Sequence, residues 1–90
     1  MRFALITRDK PDALPIRMDT RAAHLDYIQT TGVVEMAGPF LDEAGQMCGS
    51  LIILDVPDMT AAQDWAENDP YAKAGLFATV TLSAWKKVIG

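Results

Sequence analysis

The chain has 90 residues, 50% of them hydrophobic, and its 8 basic and 12 acidic residues give a net charge of −4. This length predicts one domain covering residues 1–90, because too few residues remain to form a second hydrophobic core. Residues 51–54, the longest run of large aliphatic side chains, fall far short of the roughly 20 residues that span a bilayer. The scattered basic residues and the acidic balance argue against nucleic acid and anionic membranes as partners.

The N-terminus and the cysteine content indicate the compartment. Only residues 3–6 are continuously apolar before Thr7 and Arg8, which is much too short for the centre of a signal peptide. Cys48 is the single cysteine and cannot form an intrachain disulfide, which fits a reducing environment. We therefore expect a soluble, cytoplasmic protein.

The first half of the chain predicts a strand followed by a helix. Residues 2–7 are typical of a short strand, which ends at the polar cluster 8–12. Residues 15–31 carry apolar positions at intervals of three and four, which is helical spacing, and Gly32 stands where the helix ends. The positions expected to face the core are Leu14, Met18, Ala22, Leu25 and Ile28.

The second half predicts a hairpin, a helix and a last strand. Strands at 33–37 and 47–56 flank turn residues at 42–45, and the first of these strands ends at Gly38-Pro39. Asp58 caps a helix that ends near residue 68, since Pro70 disfavours helical backbone just before it. Residues 71–75 suit one further turn, and 76–85 alternate as a final strand. The side chains of the second helix expected to face inward are Met59, Ala62, Trp65 and Ala66.

The order strand-helix-strand-strand-helix-strand predicts a ferredoxin-like α+β sandwich, with both helices on one face of an antiparallel sheet. The second and third strands are apolar on both sides, which is typical of a sheet buried on both faces. The helices cover only one face. We therefore expect a second copy of the chain to cover the other face, which would also account for the large apolar fraction of so short a chain.

His24 and Asp69 are the candidate catalytic residues. His24 is the only histidine, and helical geometry puts it about 100° from the predicted apolar stripe, on a flank that can face a cleft. A solvated or structurally bonded imidazole is the common alternative. Asp69 precedes Pro70 in what is otherwise a helix-stop turn. If the two side chains meet, the carboxylate fixes the imidazole tautomer and raises the basicity of the free nitrogen.

Other residues carry weaker signals. Gly38-Pro39 either opens the hairpin or lets a ligand approach the backbone. Cys48 lies within a strand, where a free cysteine is usually a small hydrophobic residue. Arg17 and Arg21 share a helix face with His24 and can bind an anion, although solvated helix arginines are the default. No residue spacing fits a zinc, calcium, dinucleotide or phosphate-loop site, so no metal or organic cofactor is expected.

Four short patterns connect the chain to a known family. They are Arg-Ala-Ala-His-Leu at 21–25, Ala-Gly-Pro at 37–39, Trp-Ala at 65–66 followed by Asp-Pro-Tyr at 69–71, and Ala-Gly at 74–75. With these patterns in register from Phe3 to Val88, the chain resembles the YciI-like family of small dimeric α+β barrel proteins. The resemblance implies a ferredoxin-like protomer whose sheet packs on that of a twin.

The resemblance also implies an activity. His24 matches the family's histidine and Asp69 its aspartate, a proposed acid–base pair in a cleft. Some relatives act on chlorinated or hydroxylated aromatic compounds, and similar folds isomerise muconolactones. We therefore expect a cofactor-independent lyase or isomerase acting on a small cyclic or carboxylated molecule. The alternatives are a non-catalytic dimeric ligand-binding or accessory module, and a structural dimer without a ligand. The residues expected to bind substrate are Arg21, Gly38, Pro39, Ser50 and Tyr71.

Overall fold

A computed structural model, which describes all 90 residues, contains seven elements in chain order. They are β1 (Arg2–Asp9), α1 (Leu14–Thr31), β2 (Val34–Leu41), β3 (Met47–Asp55), α2 (Met59–Asn68), α3 (Pro70–Lys73) and β4 (Phe77–Trp85). The strands form one antiparallel sheet in the order β2-β3-β1-β4. Each of the two crossovers, β1-α1-β2 and β3-α2-β4, skips one strand, and this arrangement confirms the ferredoxin-like α+β fold.

One face of the sheet packs against the helices. Phe3 and Leu5 of β1 pair with Leu54 and Ile52 of β3, and the two-residue period of a strand puts all four on this face. Together with Val56, Ala62 and Trp65 they form the main apolar core. Helix α2 therefore contributes the inward residues that its sequence predicts.

The opposite face of the sheet carries the alternate side chains and no helix. Ile6 of β1 pairs with Leu51 of β3, and Met36 of β2 pairs with Ile53 on the same side. Ile6 and Met36 are 36% and 50% exposed. The burial on both faces that the sequence predicts for β2 and β3 is therefore incomplete within one protomer, and most of β2 is exposed.

The turn and capping signals of the second half are confirmed. Asp42 Oδ1 accepts a hydrogen bond from the backbone N–H of Ala44 at 2.9 Å, and Gly45 takes the positive φ of 81° that the turn requires. Asp58 Oδ1 accepts from the backbone N–H of Ala61 at 2.8 Å. The hairpin and α2 thus begin as the sequence predicts.

The buried face of α1 differs from the predicted one. Met18 and Leu25 are 52% and 45% exposed, whereas Arg17 and His24 are 3% and 6% exposed. The predicted apolar stripe was wrong because ion pairs and hydrogen bonds, which apolar spacing does not register, offset the cost of burying Arg17 and His24. His24 therefore lies on the buried face and not on its flank.

None of the helices is both long and apolar enough to cross a membrane.

The ends of β1 and β2 also differ from the prediction. β2 continues through Gly38 and Pro39, which were expected to end it, as far as Leu41. A proline fits there because β2 is an edge strand, where a missing N–H need not break a ladder bond. β1 continues beyond residue 7 and brings Asp9 onto the strand. The longer β2 places Gly38 and Pro39, and the longer β1 places Asp9, in the region beneath α1.

Candidate functional site

The candidate site lies between α1, α3 and the helix-facing side of the sheet. Nδ1 of His24 on α1 is 2.7 Å from Oδ1 of Asp69, the residue that precedes α3. Both side chains are buried, with 7% and 1% of their surfaces exposed. The fold therefore joins the two residues that the sequence singled out, although 45 positions separate them.

The backbone around Asp69 explains the orientation of its side chain. Pro70 favours an extended residue before it, and Asp69 has φ −61° and ψ 128°. As the N-cap of α3, its Oδ1 also accepts a hydrogen bond from the backbone N–H of Tyr71 at 3.0 Å. Its Oδ2 is buried without a partner. The turn thus holds the carboxylate in place independently of His24.

The two ring nitrogens of His24 have different surroundings. Nδ1 faces the carboxylate of Asp69, which favours the tautomer in which Nδ1 is the donor. Nε2 has no partner within the chain and is not sealed from solvent, and His24 lines a cavity. A bare Nε2 facing a cavity can accept a proton from a bound molecule while Asp69 stabilises the imidazolium that forms.

An aromatic stack supports the His24 ring. Tyr71 on α3 lies over it, with 3.9 Å between the ring centroids and 17° between the planes. Burial raises the pKa of the Tyr71 hydroxyl, Arg17 and Arg21 oppose this shift, and Asp69 adds to it. Tyr71 therefore presents a neutral hydroxyl at physiological pH.

A buried ion pair forms the other end of the site. Nε and Nη2 of Arg17 donate to the two carboxylate oxygens of Asp9 at 2.7 and 3.1 Å, and Nη2 also donates to Ser50 Oγ at 3.0 Å. Burial works against the charge on Arg17, but the hydrogen bonds and charge of Asp9 outweigh it, so the pKa of Arg17 lies above its ordinary value. The site therefore contains a permanent cation that is already paired.

Asp9 and the buried role of Arg17 were missed from the sequence. Asp9 stands in a polar cluster that is typical of a turn, and an arginine on a helix is solvated by default. One signal was present. Arg17 and His24 are seven residues apart, which is close to two helical turns and puts both on one face.

Strand β3 positions Ser50 through a close approach to β1. A Cβ at Gly49 would clash with the backbone carbonyl oxygen of Thr7, so only glycine fits there. Ser50 itself pairs with Thr7 and Pro39 in the sheet. Its buried side chain reaches Arg17 from the floor of the site.

A cavity of about 160 Å³ connects these groups. Its polar lining consists of Arg17, Arg21, His24, Ser50 and Tyr71. The remaining lining comes from α1, β2 and β3, namely Leu25, Ile28, Ala37, Gly38, Pro39, Met47 and Ile52. A cavity of roughly 150 Å³ holds a benzene molecule. The space therefore fits one six-membered ring.

All five residues expected to bind substrate line this cavity: Arg21, Gly38, Pro39, Ser50 and Tyr71. Their role in binding stays a prediction. Cys48 lies outside the cavity, and its Sγ is 3.6 Å from the carbonyl oxygen of Phe40. No three His, Cys, Asp or Glu side chains come close enough together to hold a metal ion.

The sequence matches a defined family over nearly its whole length. The family model of the YCII-related domain matches residues 1–86. Protein YciI of Escherichia coli O6:H1 is 35% identical over 97 residues, which cover 98% of this chain and 99% of that protein. Protein YciI of Shigella flexneri matches to the same extent.

Solved structures give a similar picture. The 5-chloro-2-hydroxyhydroquinone dehydrochlorinase TftG of Burkholderia phenoliruptrix AC1100, in complex with 2,5-dihydroxybenzoquinone, matches with a TM-score of 0.87 and 34% identity. The match covers 96% of this chain and 94% of TftG. An antibiotic biosynthesis monooxygenase matches with a TM-score of 0.58 and 14% identity over 98% of both chains. At that identity the second match shows a shared fold only.

Proposed function

The chain belongs to the YCII-related domain family, and on this basis we propose that it is a cofactor-independent enzyme in which His24 and Asp69 act as an acid–base pair. The substrate is a small oxygen-bearing ring compound, and the reaction is a lyase or isomerase step. One observation carries the proposal. Asp69 engages Nδ1 of His24 at 2.7 Å, Nε2 of the same ring has no partner within the chain, and His24 lines a cavity with room for one ring.

In the proposed reaction, Nε2 of His24 removes a proton from the substrate. The electron pair of the broken bond then expels a leaving group such as chloride, or the proton returns at another carbon in an isomerisation. The proton on His24 passes to water in the first case and to the product in the second, so neither reaction needs an oxidant or a reductant. The similarity to TftG, a dehydrochlorinase, supports the elimination.

Arg21 is the cation at the cavity that is available to an anionic group of the substrate. Asp9 neutralises Arg17 and Asp69 faces His24, whereas Arg21 at the cavity has no carboxylate partner. When His24 takes up a proton, Asp69 balances the new positive charge and Arg21 faces the negative charge left on the substrate. Charges that are in place before the reaction lower the cost of proton transfer.

The direct test is chloride release from 5-chloro-2-hydroxyhydroquinone under anaerobic conditions. The wild-type protein is expected to release chloride, and His24→Ala is expected to lower the rate by roughly 10²- to 10⁴-fold, the usual contribution of a positioned acid or base. Met18→Ala, on the exposed side of α1, is the matched control and keeps the wild-type rate. An unchanged rate in His24→Ala contradicts the role of His24 as the base.

A dimeric small-ligand-binding or accessory module is the second candidate. The mixed lining of the cavity supports it, since pockets that combine apolar walls with a few polar groups bind ring compounds without chemistry. This candidate predicts that 2,5-dihydroxybenzoquinone binds, that no chloride is released, and that His24→Ala changes affinity alone. The cavity beside His24 speaks against a structural dimer that has no ligand.

We further propose that a second copy of the chain covers the open face of the sheet. Ile6, Met36 and the half-buried Leu51 give that face an apolar surface that no helix covers, and the resemblance to dimeric α+β barrels supports this partner. Sedimentation at micromolar concentration is expected to give twice the 9.8 kDa of one chain. A species of 9.8 kDa contradicts the dimer.

A further inference from the structure

Arg17 is the only buried arginine of the chain. Its guanidinium makes two hydrogen bonds to Asp9 and one to Ser50. A planar fork of this kind holds two partners at once in a defined geometry, which the single ammonium of a lysine does not do. A buried ion pair adds little net stability compared with apolar packing. The contacts of Arg17 therefore point to a task other than holding the fold together.

The bond from Arg17 occupies one lone pair of the Ser50 hydroxyl and so restricts the direction in which its proton points. Oγ of Ser50 accepts from Nη2 of Arg17, and the hydroxyl proton has no acceptor within the chain. Because a serine hydroxyl has a single proton to donate and Ser50 lines the cavity, this proton is available to whatever occupies the cavity. A carbonyl, phenolate or carboxylate oxygen of a ligand would accept it.

Arg17 also lies against the ring on which His24 rests. Its Cζ is 4.7 Å from the centroid of the Tyr71 ring, and the His24 ring is 3.9 Å from the same centroid. Arg17 and His24 are seven residues apart on α1, or about 10 Å along its axis. Both side chains therefore contact the same tyrosine ring from positions two helical turns apart. The attraction between a guanidinium and an aromatic face adds to the contact of Arg17 with this ring.

We infer that the Asp9–Arg17 pair is the positioning unit of the site, because Arg17 directs the Ser50 hydroxyl toward a ligand oxygen and holds Tyr71 against His24. The inference rests on the proposed function for the identity of the site. Arg17 is a positioning residue and not a catalytic one, because Asp9 neutralises its charge. Because the Ser50 hydroxyl donates its proton to the ligand, the expected ligand is a single ring that carries an acceptor oxygen.

The first measurement is the NMR shift of the His24 ring protons in the ligand-free protein, where one histidine gives one set of signals. The stacked Tyr71 shields these protons by its ring current, and Tyr71→Leu defines their unstacked position. Arg17→Lys keeps the charge and loses the fork, and we expect it to move the signals most of the way to that position. Asp9→Asn is the second variant, with the same expected shift, should Arg17→Lys fail to fold.

A matched control separates this effect from the loss of any ion pair. Arg2 pairs with Glu35 at 2.7 Å on the surface, with both side chains partly exposed. Arg2→Lys makes the same chemical change outside the site. We expect the His24 signals of this variant to stay at their wild-type position.

The second measurement is a double-mutant cycle on the binding of 2,5-dihydroxybenzoquinone, followed by its visible absorption. Ser50→Ala removes the donor and is expected to weaken binding roughly three- to tenfold, the range for one hydrogen bond. Arg17→Lys is expected to cause a similar loss. The double variant should bind little worse than Arg17→Lys alone, because that variant has already lost the directed Ser50 hydroxyl.

Two results would overturn the inference. One is an unchanged position of the His24 signals in a folded Arg17→Lys or Asp9→Asn variant. The other is a pair of affinity losses that multiply in the double variant, which would make Arg17 and Ser50 independent. If the wild-type protein does not bind the quinone, the proposed function fails for this ligand class, whereas the NMR comparison still decides the positioning role.

Discussion

The two ends of the helix–sheet interface are built from different chemistry. Seven buried apolar residues form the main core beneath α2, among them Leu5, Leu54 and Trp65. At the end beneath α1 and α3 the apolar cluster is smaller, with only Ala13, Tyr71 and Leu76. Five further buried side chains there are polar or charged, namely Thr7, Arg17, His24, Ser50 and Asp69. Apolar burial stabilises a fold by about 25 cal/mol per Å², while buried ion pairs contribute little net stability. The stability and the proposed chemistry of this protein therefore come from opposite ends of one interface.

The two long helices show what this division requires. Helix α2 buries Ala62 and Trp65, as an amphipathic helix does. Helix α1 buries Arg17 and His24 and leaves Met18 exposed. Because α1 buries Arg17 and His24, its inward face forms part of the candidate site and not of the apolar core. Substitutions beneath α2 should therefore change stability first, and substitutions beneath α1 should change function first.

The largest effect is expected from Asp69→Asn. The amide can still cap α3 and accept from Nδ1 of His24 through the same Oδ1, but it lacks the negative charge that stabilises the imidazolium, so chloride release should fall by roughly 10²- to 10⁴-fold. Asp58→Asn is the matched control, because Asp58 caps α2 through a similar bond and touches no histidine. A wild-type rate in Asp69→Asn would show that the charge of Asp69 beside His24 plays no part in the mechanism.

The next effect tests the apolar end. Trp65→Ala should lower the free energy of unfolding by about 3–5 kcal/mol in urea titrations, since it empties a buried aromatic site. Trp65→Phe keeps most of the ring and loses the 2.9 Å bond from Nε1 to Thr31 Oγ1, which should cost about 1 kcal/mol. Neither change should move the His24 ring signals. A shift of those signals in folded Trp65→Phe would show that the two ends are coupled.

A smaller effect concerns the start of α2. Asp58→Ala removes the side-chain bond to the N–H of Ala61 and should lower the free energy of unfolding by about 1 kcal/mol. Asp58→Asn should cost only a few tenths of that, because asparagine also caps helices. Thermal unfolding of the three proteins measures the difference. Equal losses in both variants would mean that the negative charge, and not the hydrogen bond, matters at this cap.

The smallest expected effect appears at alkaline pH. Burial raises the pKa values of Tyr71 and Tyr27 above their ordinary 10.0. Above about pH 10 the unfolded chain loses these protons while the folded chain keeps them, so the free energy of unfolding should fall as pH rises. Below about pH 10 the two tyrosines should not contribute to the change of the free energy of unfolding with pH. Tyr71→Phe should reduce the alkaline decline, and a stability that rises above pH 10 would contradict the assignment.

The sequence predicted the fold because its signals are local. Asp58, Gly45 and Pro70 each determine the backbone within a few residues, and the structure uses all three as expected. The strand limits were less accurate. An edge position tolerates Pro39 within β2, and no local pattern tells an edge strand from a central one.

Half of the site could also be predicted, and the other half could not. His24 and Asp69 were found because each carries a recognisable residue type in a recognisable setting. The contact between Arg17 and Asp9 was not found, because both residues look like ordinary solvated groups until the fold buries them. Apolar periodicity assigned the wrong face to α1 for the same reason. The spacing of apolar residues along a helix does not show which polar residues find hydrogen-bond or ion-pair partners in the fold.

The most direct test of the account is the tautomer of His24, read from long-range proton–nitrogen NMR spectra of the neutral ring. We expect that Nδ1 carries the proton, bonded to Asp69, and that Nε2 of this cavity-lining residue is bare. Asp69→Ala, which removes the acceptor oxygen, should abolish this preference. A neutral ring protonated at Nε2 in the wild-type protein would contradict the central claim, because such a ring has no free base to present to a substrate.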